Sequence, residues 1–517
     1  MSGTIKRDIK RVGTRGLMVD LVSLEQVMDF YAALSTEPLE RQTDVIAGAR
    51  TVLVTFDSTS AATAAAEFLR DFEPEAAGSK ESREIEIEVC YDGADLDELA
   101  EHLGKTRDEL IEWHTSTVWK AGFGGFAPGF TYCVPENEAD ALDVPRRSSP
   151  RTEVPAGAVA LAGDFSAVYP RTSPGGWQLI GTTTTPMWDS TAKPPALVSP
   201  GDTVRYVSVE KLAHEQETSH FELDTPPRMP LFTVDDAGLQ TLYQDLGRQG
   251  NGSLGVTTSG SSDRASARIA NDVVGNKRNA TLLENIGGLT MTALTETVVC
   301  VTGADTDVFV GQRSFPLATP IIVPAGAQLV VAPPRVGMRS YIAVRGGLIA
   351  DTELDSAATD LLSGLGPAPI QAGDTVSVSL KKPDTANALL SNPLRVTADT
   401  ATVRCVLGPR DDWFSTDEVE RFFDTTFTVT GESNRVGVRL ETDKPLQRDR
   451  SGELPSEGMV AGSVQIPPSG QPVVFLRDHA VTGGYPVIAT VISEDVDIAA
   501  QLSPGSTIRF ERYSERD

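Results

Sequence analysis

A glycine- and aromatic-rich loop over residues 122–132 has the densest concentration of ligand-binding residue types in the chain. Its sequence is Gly-Phe-Gly-Gly-Phe-Ala-Pro-Gly-Phe-Thr-Tyr. Glycine lets the backbone approach a ligand closely or adopt a positive φ, and interleaved aromatic rings supply flat apolar walls. A tight turn with a small core of its own is the alternative. We predict a backbone cradle for substrate or nucleotide, formed by Gly125, Phe126, Pro128, Gly129 and Phe130.

Two arginines and one histidine near this loop suit anion binding and proton transfer. Arg146 and Arg151 lie among prolines and could grip a carboxylate or phosphate through two parallel hydrogen bonds. A role in surface solubility is their alternative. His114 lies in a predicted helix and is a candidate acid or base, with a core or capping histidine as its alternative. We predict catalytic roles for all three residues.

The second half of the chain carries polar residues between glycines and prolines, at predicted strand ends. The turn at residues 259–261 is Ser-Gly-Ser and leads into a predicted helix, whose free N-terminal N–H groups would form an anion site. An acidic residue there could instead only complement the helix dipole. The residues predicted to bind substrate or nucleotide are Gln244, Asp245, Arg248, Asp263, Arg435, Gln465 and Tyr485, and the predicted catalytic residues are Glu457 and Asp478.

Several common catalytic motifs are absent from the sequence. It has no GxxxxGK[ST] phosphate loop, no HExxH, no GxSxG and no glycine-rich dinucleotide pattern after an opening strand. The five histidines show no metal-ligand spacing, so we predict no protein metal site. The four cysteines are far apart, which is typical of buried thiols in a reducing compartment.

The charge balance is strongly acidic, with 72 Asp and Glu against 45 Lys and Arg and a formal net charge of −27. Nucleic-acid binding needs clustered cations, so this balance argues against such a partner. No stretch approaches the ~20 continuous apolar residues of a membrane span, and the N-terminus lacks the apolar core of a secretory signal. We expect a cytoplasmic protein; whether it forms a homo-oligomer stays open.

An internal repeat indicates the architecture. Residues 175–182 and 483–490 each open with Gly-Gly-aromatic and continue as an apolar run. Each is followed by a Pro-Gly turn and an alternating strand, at 199–206 and 503–510, and 372–376 is a partial third echo. Two full copies predict related β-rich modules in one polypeptide rather than a solenoid.

Strand and helix patterns divide the chain into five parts. We predict a small N-terminal α+β domain over 1–92, with strands at 14–21, 51–56 and 84–91, followed by modules rich in strands. Capping residues predict helices that open at Asp95, Thr106, Ser262 and Ser415. The remaining parts are a module at 93–212, a linker at 213–229, and modules at 230–380 and 381–517, the last opening with a polar stretch at 381–392.

Longer motifs resemble two known families. Residues 125–130, Pro-Arg-x-x-Val-Pro-Ala-Gly at 150–157 and the stretch from 169 to 181 look like the KipI family, the first allophanate-hydrolase-like subunit. The second half looks like the KipA family, the second such subunit. The residues that carry this second resemblance are Gln244-Asp245-x-Gly247-Arg248, 271–276, Glu284, Gly346-Gly347, Ser456-Glu457-Gly458 and 482–485. The chain therefore resembles a fusion of the two families over roughly residues 14–510.

This resemblance implies a β-rich α+β fold with tandem cyclophilin-like β-barrel modules. It also implies the B and C components of an ATP-dependent 5-oxoprolinase, which opens 5-oxo-L-proline to L-glutamate with a third subunit of the LamB/YcsF type. ATP, with Mg²⁺ as its counterion, would phosphorylate the lactam oxygen and make the ring carbonyl a better electrophile. The loops rich in Arg, Gly and Gln would then stabilise developing negative charge.

Two departures and two alternatives accompany the resemblance. Residues 355–360 are Asp-Ser-Ala-Ala-Thr-Asp where the KipA pattern has Gly-Ser-Arg-Ser-Thr-Asp, so Ala357 replaces an arginine, and the Gly-Arg pair expected near 367–370 is also absent. One alternative function is the carboxyltransferase component of a biotin-dependent urea or amide carboxylase, although the chain has no biotinyl Met-Lys-Met motif. The other is a binding protein that inhibits a histidine kinase.

Overall fold

The N-terminal part of the molecule is a four-stranded antiparallel sheet with two helices. The structure is a computed structural model that describes residues 7–74, 82–212, 228–379, 400–452 and 454–514. The sheet has the order β1-β2-β4-β3. Its elements are β1 (Ile9–Val12), β2 (Gly16–Asp20), α1 (Leu24–Thr36), β3 (Gln42–Ala47), β4 (Thr51–Phe56) and α2 (Thr59–Asp71).

The N-terminal sheet is buried on both faces. Leu17 and Val19 of β2 pack with the helices α1 and α2 and with the next module. Met18, between them, points the other way. It packs with Ile46 and Leu53 of the same sheet and with Val481 of the last module. This alternation follows from the two-residue period of a strand, and it places the sheet between its own helices and the C-terminal module.

The second module is a seven-stranded sheet of order β12-β9-β10-β7-β6-β13-β5. A bridge between Cys90 and Thr182 brings its two edges together. Its elements are β5 (Glu84–Val89), α3 (Leu96–His102), α4 (Arg107–Ser116), β6 (Trp119–Gly124), β7 (Thr131–Pro135), β8 (Arg151–Val154), β9 (Ala158–Ala162), β10 (Phe165–Val168), β11 (Ser173–Gly175), β12 (Gln178–Thr182) and β13 (Thr203–Ser208).

The third module stacks a seven-stranded sheet on a five-stranded sheet around a shared apolar core. Its one helix among the described residues, α5, covers the outer face of the five-stranded sheet. The elements are β14 (Arg228–Asp236), β15 (Gln240–Gln244), α5 (Arg264–Val274), β16 (Leu282–Ile286), β17 (Leu289–Ala293), β18 (Thr297–Asp305), β19 (Val308–Val310), β20 (Arg313–Phe315), β21 (Ile321–Val323), β22 (Gln328–Val331), β23 (Val336–Val344), β24 (Leu348–Ile349) and β25 (Thr375–Ser379).

The fourth module is a closed barrel of order β26-β33-β30-β31-β28-β27-β34. Its elements are β26 (Ala401–Leu407), α6 (Thr416–Asp424), β27 (Phe427–Val429), β28 (Gly437–Glu441), β29 (Glu457–Gly458), β30 (Ser463–Gln465), β31 (Val473–Phe475), β32 (Thr482–Gly483), β33 (Val487–Val491), α7 (Val496–Ala499) and β34 (Thr507–Arg512).

The second and fourth modules share one strand order, which confirms what the sequence repeat predicts. The first copy of the repeat forms β12 and β13, and the second copy forms β33 and β34. In each barrel the last strand pairs in parallel with the first, β13 with β5 and β34 with β26. The partial echo lies at β25, which instead pairs antiparallel with β14. The predicted β-rich α+β fold is therefore confirmed, with barrels in these two modules. The module at 230–380, which is also predicted to be a β-barrel, consists of two stacked sheets in its described residues.

Some local predictions differ from the structure. The strand predicted at 84–91 as part of the N-terminal domain is β5, and it pairs in the sheet of the second module. The helix predicted to open at Ser262 has Asp263 as its capping residue, because that carboxylate accepts the N–H of Ser266. The Thr106 capping box is confirmed. Most of the predicted linker at 213–229 and all of the polar stretch at 381–392 lie outside the described residues.

Candidate functional site

A polar cleft of about 900 Å³ lies where the N-terminal sheet meets the third and fourth modules. The N-terminal sheet contributes its β1–β2 turn and the facing ends of β3 and β4. The third module contributes the segment before α5 and the first turns of that helix, and the fourth module contributes residues of its barrel wall. The lining residues fall within 12–57, 249–268 and 459–497. The cleft is therefore built from both halves of the chain.

Asp44 is the half-buried carboxylate on the N-terminal wall of this cleft. Its Oδ1 accepts the N–H of Val45 at 2.9 Å, and its Oδ2 accepts the N–H of Gly252 from the third module at 3.1 Å. Burial raises the pKa of Asp44 to about 6, although these backbone donors act to lower it. A carboxylate with a pKa near neutral can accept a proton from water.

Three arginines line the part of the cleft formed by the third and fourth modules, and we call Arg264, Arg268 and Arg477 the arginine cluster. Asp497 is the carboxylate among them, and its Oδ1 accepts from Arg477 at 3.2 Å. The same carboxylate accepts the backbone N–H groups of Arg264 and Ala265 at 3.1 Å each. The N-terminus of α5, predicted to offer free N–H groups to a ligand, is thus already occupied by an internal carboxylate.

His479 lies beside the arginine cluster and is held neutral. Its Nδ1 faces the carbonyl oxygen of Ala480 at 2.8 Å, and its ring stacks on Phe475 with centroids 5.7 Å apart. Burial lowers the pKa of His479 to about 4. A neutral imidazole at this position adds a polar surface to the cleft without adding charge.

A buried ionic network lies directly behind the cleft. The Arg435 guanidinium binds Asp478 through Nε and Nη2 at 2.9 Å each, and its Nη1 contacts Glu284 and the Ser262 hydroxyl. Asp478 also accepts the Ser259 hydroxyl at 2.7 Å. All of these side chains are almost completely buried. The network fixes the segment that leads into α5, and therefore the position of the arginine cluster.

The network extends to the predicted residues Asp245, Arg248 and Gln244. Asp245 accepts the Ser356 hydroxyl at 2.7 Å and the N–H of Ala357 at 2.9 Å. Arg248 donates to the carbonyl oxygen of Ala358, and Gln244 donates to that of Thr359 at 2.8 Å. These contacts hold the segment 356–359, which contains Ala357, where the resemblance leads us to expect an arginine. Ala357 is buried, so an arginine there would need a different arrangement of this segment.

The remaining predicted residue of the network is Asp263, at the start of α5. Its carboxylate accepts the N–H of Ser266 at 3.0 Å and the side-chain amide of Gln501 at 2.9 Å, and it is almost fully buried. Burial and the neighbouring Asp497 raise the pKa of Asp263 to about 6. Its contacts are those of a helix cap, in agreement with the alternative interpretation of this residue.

The glycine-rich loop joins the two halves of the chain. The N–H of Phe126 donates to the Thr482 hydroxyl at 3.2 Å, and the N–H of Gly129 donates to the carbonyl oxygen of Leu254 at 3.1 Å. A Cβ on Gly124 would lie 2.2 Å from the carbonyl oxygen of Ser253. Phe130 and Pro128 are buried in the same loop. The loop therefore approaches a protein backbone as closely as we expected it to approach a ligand.

The two predicted arginines of the first barrel have different surroundings. Arg151 binds Asp95 through two hydrogen bonds of 2.7 and 2.9 Å, and Arg147 reaches the same carboxylate at 2.5 Å. Burial acts to raise the pKa of Asp95, but these arginines hold it below its ordinary value. Arg146 is exposed, and its charge opposes the increase that burial causes in the pKa of Tyr132 and Tyr169. Of the two predicted arginines, Arg146 is the one that faces solvent.

Three predicted residues lie on the fourth module near this loop. Glu457 is buried against Arg410, and its Oε1 accepts from Arg410 Nε at 2.7 Å. Gln465 donates to the carbonyl oxygen of Tyr485 at 3.3 Å, and the Tyr485 side chain is exposed. Burial raises the pKa of Tyr132, and hydrogen bonds to Ser456 and Thr482 of the fourth module lower it. These residues and the glycine-rich loop thus meet at one junction of the two barrels.

His114 lies in the core of the first barrel and does not reach the cleft. Its Nδ1 is 2.7 Å from the Tyr91 hydroxyl, its Nε2 is 2.9 Å from the Ser166 hydroxyl, and its ring stacks on Tyr206. Burial lowers the pKa of His114 to about 3. Both ring nitrogens have protein partners, and we do not include this residue in the proposed site.

We expect the His114 imidazole to stay neutral between pH 8 and about 5, because its folded pKa lies below the ~6.5 of an unfolded histidine. Its contribution to stability is complete above pH ~6.5 and is lost as the pH falls towards 3. NMR of the ring nitrogens measures this directly, with the chain in denaturant as the reference. A folded-state midpoint near 6.5 would contradict the expectation.

None of the residues predicted from the sequence lines the cleft, although three of them have direct neighbours that do. Gln249 follows the predicted Arg248, and Arg264 follows the predicted Asp263. Arg477 and His479 flank the predicted Asp478. Asp44 carries no local signal, because an Asp in a strand of alternating polarity is ordinary. The Ser-Gly-Ser turn before α5 is the sequence signal that lies closest to the site.

Comparisons with known proteins agree with this architecture. Residues 254–512 match the family model for the carboxyltransferase domain, subdomains A and B, and residues 7–198 match that for subdomains C and D. The cleft walls come from both matched regions. The chain belongs to the carboxyltransferase-domain family and unites all four subdomains in one polypeptide.

The relatives identify the two halves more closely. The chain is 33% identical over 282 residues to the C subunit of 5-oxoprolinase from Escherichia coli K12, covering 54% of this chain and 90% of that protein. It is 46% identical over 132 residues to the B subunit of 5-oxoprolinase from Escherichia coli O157:H7, covering 25% of this chain and 59% of that protein. The predicted resemblance to a fusion of these two proteins is therefore confirmed.

Two further comparisons extend this result. Urea amidolyase of Lachancea kluyveri is 29% identical over 307 residues, which is 54% of this chain but 17% of that protein. The crystal structure of TTHA0988 superposes with a TM-score of 0.84 at 32% identity and covers 96% of this chain and 99% of that chain. Both the order of the modules and their mutual arrangement are thus shared with a solved structure.

Within the described ranges, no helix has the length and apolar character needed to cross a membrane.

Proposed function

We propose that this chain is the fused B and C component of an ATP-dependent 5-oxoprolinase, and that ring opening takes place in the cleft. The observation that carries the proposal is that both family regions contribute walls to one polar cavity. Relatives that exist as separate B and C subunits correspond here to the two halves of one chain. A cavity shared by those halves is the place where both are needed for one reaction.

The overall reaction consumes two waters: one is added across the C–N bond of the lactam, and the other is consumed as ATP is converted to ADP and phosphate. The amide carbonyl becomes negatively charged as water attacks, and guanidinium groups fixed in a cleft stabilise such charge without reorganisation. Asp44, which lines the same cleft as the arginine cluster, suits the acceptance of a proton from the attacking water. ATP, with Mg²⁺ as its counterion, is the second substrate. The protein that completes the enzyme with this chain would be a LamB/YcsF-type subunit.

The test combines this chain with a purified LamB/YcsF-type subunit, Mg²⁺-ATP and 5-oxo-L-proline. We expect glutamate and phosphate in equal amounts, and only when both proteins and ATP are present. Asp44→Asn should lower kcat by roughly 10²–10⁴-fold. Asp164→Asn, an exposed turn carboxylate outside the cleft, is the matched control and should leave kcat unchanged. Absence of partner-dependent glutamate would refute the proposal.

A second candidate function is carboxyl transfer to urea or a related amide. The matched family carries the word carboxyltransferase in its description, and urea amidolyase is among the relatives. This activity would require a biotinylated partner to deliver the carboxyl group, so the discriminating measurement is whether such a protein copurifies and supports carboxylation. The same cleft would then hold the carboxylated biotin.

A further inference from the structure

The arginine cluster carries more positive charge than the protein around it neutralises. Arg264, Arg268 and Arg477 face Asp497, and the other acidic residues of this part of the cleft have their own partners. Glu494 binds Arg15 across the cleft, and Asp263 caps α5. Burial and the neighbouring guanidinium groups lower the pKa of Arg264 and Arg477. Cations with lowered pKa are cations that an added anion would stabilise.

The same cluster contains buried donors that the protein leaves unused. Arg477 is 8% exposed, and its Nε–H has no acceptor among the residues that the structure describes. The same holds for the Nε–H of Arg264. A buried donor without an acceptor costs about 1–3 kcal/mol, and more when charged, so an acceptor oxygen that reached these groups would relieve this cost.

Hydrogen bonds from other atoms of the same side chains hold these two Nε–H donors in place. Arg264 Nη2 donates to the carbonyl oxygens of Leu246 and Ser259 at 3.1 and 3.3 Å. Arg477 is fixed by Asp497 on one side, and the N-terminal amides of α5 are taken by the same carboxylate. A ligand would therefore bind the side chains of the cluster rather than the N-terminal amides of α5.

We propose that the arginine cluster is a binding site for a doubly charged tetrahedral oxyanion, a phosphate or phosphoryl group. The excess of two cations over Asp497 matches a dianion better than a single carboxylate. Three arginines that line one cleft also suit the several acceptor oxygens of a phosphate. The exposed Arg268 stands at the cleft side of the cluster, where a ligand would enter.

The assignment deepens the proposed function, on which it rests for the origin of the phosphate. In that reaction the γ-phosphoryl group of ATP leaves as inorganic phosphate, so the cluster would hold this group in the cleft that Asp44 also lines. Binding itself needs neither turnover nor the partner protein. Failure of the 5-oxoprolinase assay with intact phosphate binding would refute the function alone, and the reverse result would refute the site alone.

The experiment is calorimetric titration of the full chain with inorganic phosphate, without ATP or partner. We expect one site per chain, with affinity lowered about tenfold or more in Arg477→Gln and several-fold in Arg268→Gln. Arg268 is exposed, so its variant should fold even if Arg477→Gln does not. Arg509→Gln, an exposed arginine of β34 outside the cleft, makes the same charge change and should bind like the wild type.

Parallel titrations with ADP, ATP and acetate separate the sources of the group. Tighter binding of ATP that is weakened by the same two variants assigns the site to a nucleotide phosphoryl group. Binding of phosphate but not of nucleotide assigns it to the released phosphate. No phosphate binding at millimolar concentration, acetate binding as tight as phosphate binding, or an equal loss in Arg509→Gln would each overturn the proposal.

Discussion

Arg435→Met is expected to destabilise the protein by about 3–5 kcal/mol, because it leaves the buried Asp478 without its cation and Glu284 with Arg339 alone. Arg435 is 2% exposed and contacts both Glu284 and Asp478. Burial acts to raise the pKa of Glu284, but Arg435 and Arg339 hold it below its ordinary value. Methionine fills a similar volume, so the loss of charge dominates the effect.

The measurement is the midpoint of the first unfolding transition in urea, since a protein of several modules need not unfold in one step. Arg439→Met is the matched control, because Arg439 is an exposed arginine of the neighbouring strand β28 and its loss should change stability by less than ~0.5 kcal/mol. A change below ~1 kcal/mol in Arg435→Met would show that the network contributes little to stability.

A loss of this size would also link stability to the site. Asp478 lies between Arg477 and His479, and Ser262 lies two residues before Arg264. The network therefore fixes both segments that carry the arginine cluster. An active site built on such buried ion pairs keeps its geometry, because each charged group has one favourable arrangement of partners.

The sequence predicts the architecture well, because the signals of the architecture are local. The two copies of the Gly-Gly-aromatic repeat form equivalent strands in two barrels of the same order. The capping box at Thr106 is a pattern of four residues and forms as predicted. The prediction places β5 in the wrong sheet, because its partner β13 lies more than a hundred residues away and pairing carries no local signal.

The site is harder to predict, because residue type does not reveal the partner. Arg151 is a residue type that can bind an anion through two hydrogen bonds, and the anion that it binds is the internal carboxylate of Asp95. The glycines of the loop at 122–132 allow close approach, and at Gly124 the neighbour is Ser253 of the other half. Arg477 lies one position from the predicted Asp478, and only the fold shows which of the two faces the cleft.

Arg410→Met is expected to loosen the N-terminal sheet from the last barrel and to cost about 3–5 kcal/mol. Arg410 binds Glu457 of the fourth module and Asp20 of β2, with the Nη2–Oδ1 distance to Asp20 being 2.7 Å. Glu457 is 2% exposed, so its charge would stay buried without a partner. The Arg410–Asp20 ion pair joins the fourth module to the N-terminal sheet.

Hydrogen exchange of the strands β2 and β4, together with urea unfolding, measures this effect. Exchange in these strands should rise in Arg410→Met, while that of the third module should stay as in the wild type. The double variant Arg410→Met, Glu457→Leu should recover much of the loss, because replacing both members of a buried ion pair by apolar groups is often neutral. If the double variant is as unstable as the single one, packing around Arg410 rather than the unpaired Glu457 charge holds the two halves together.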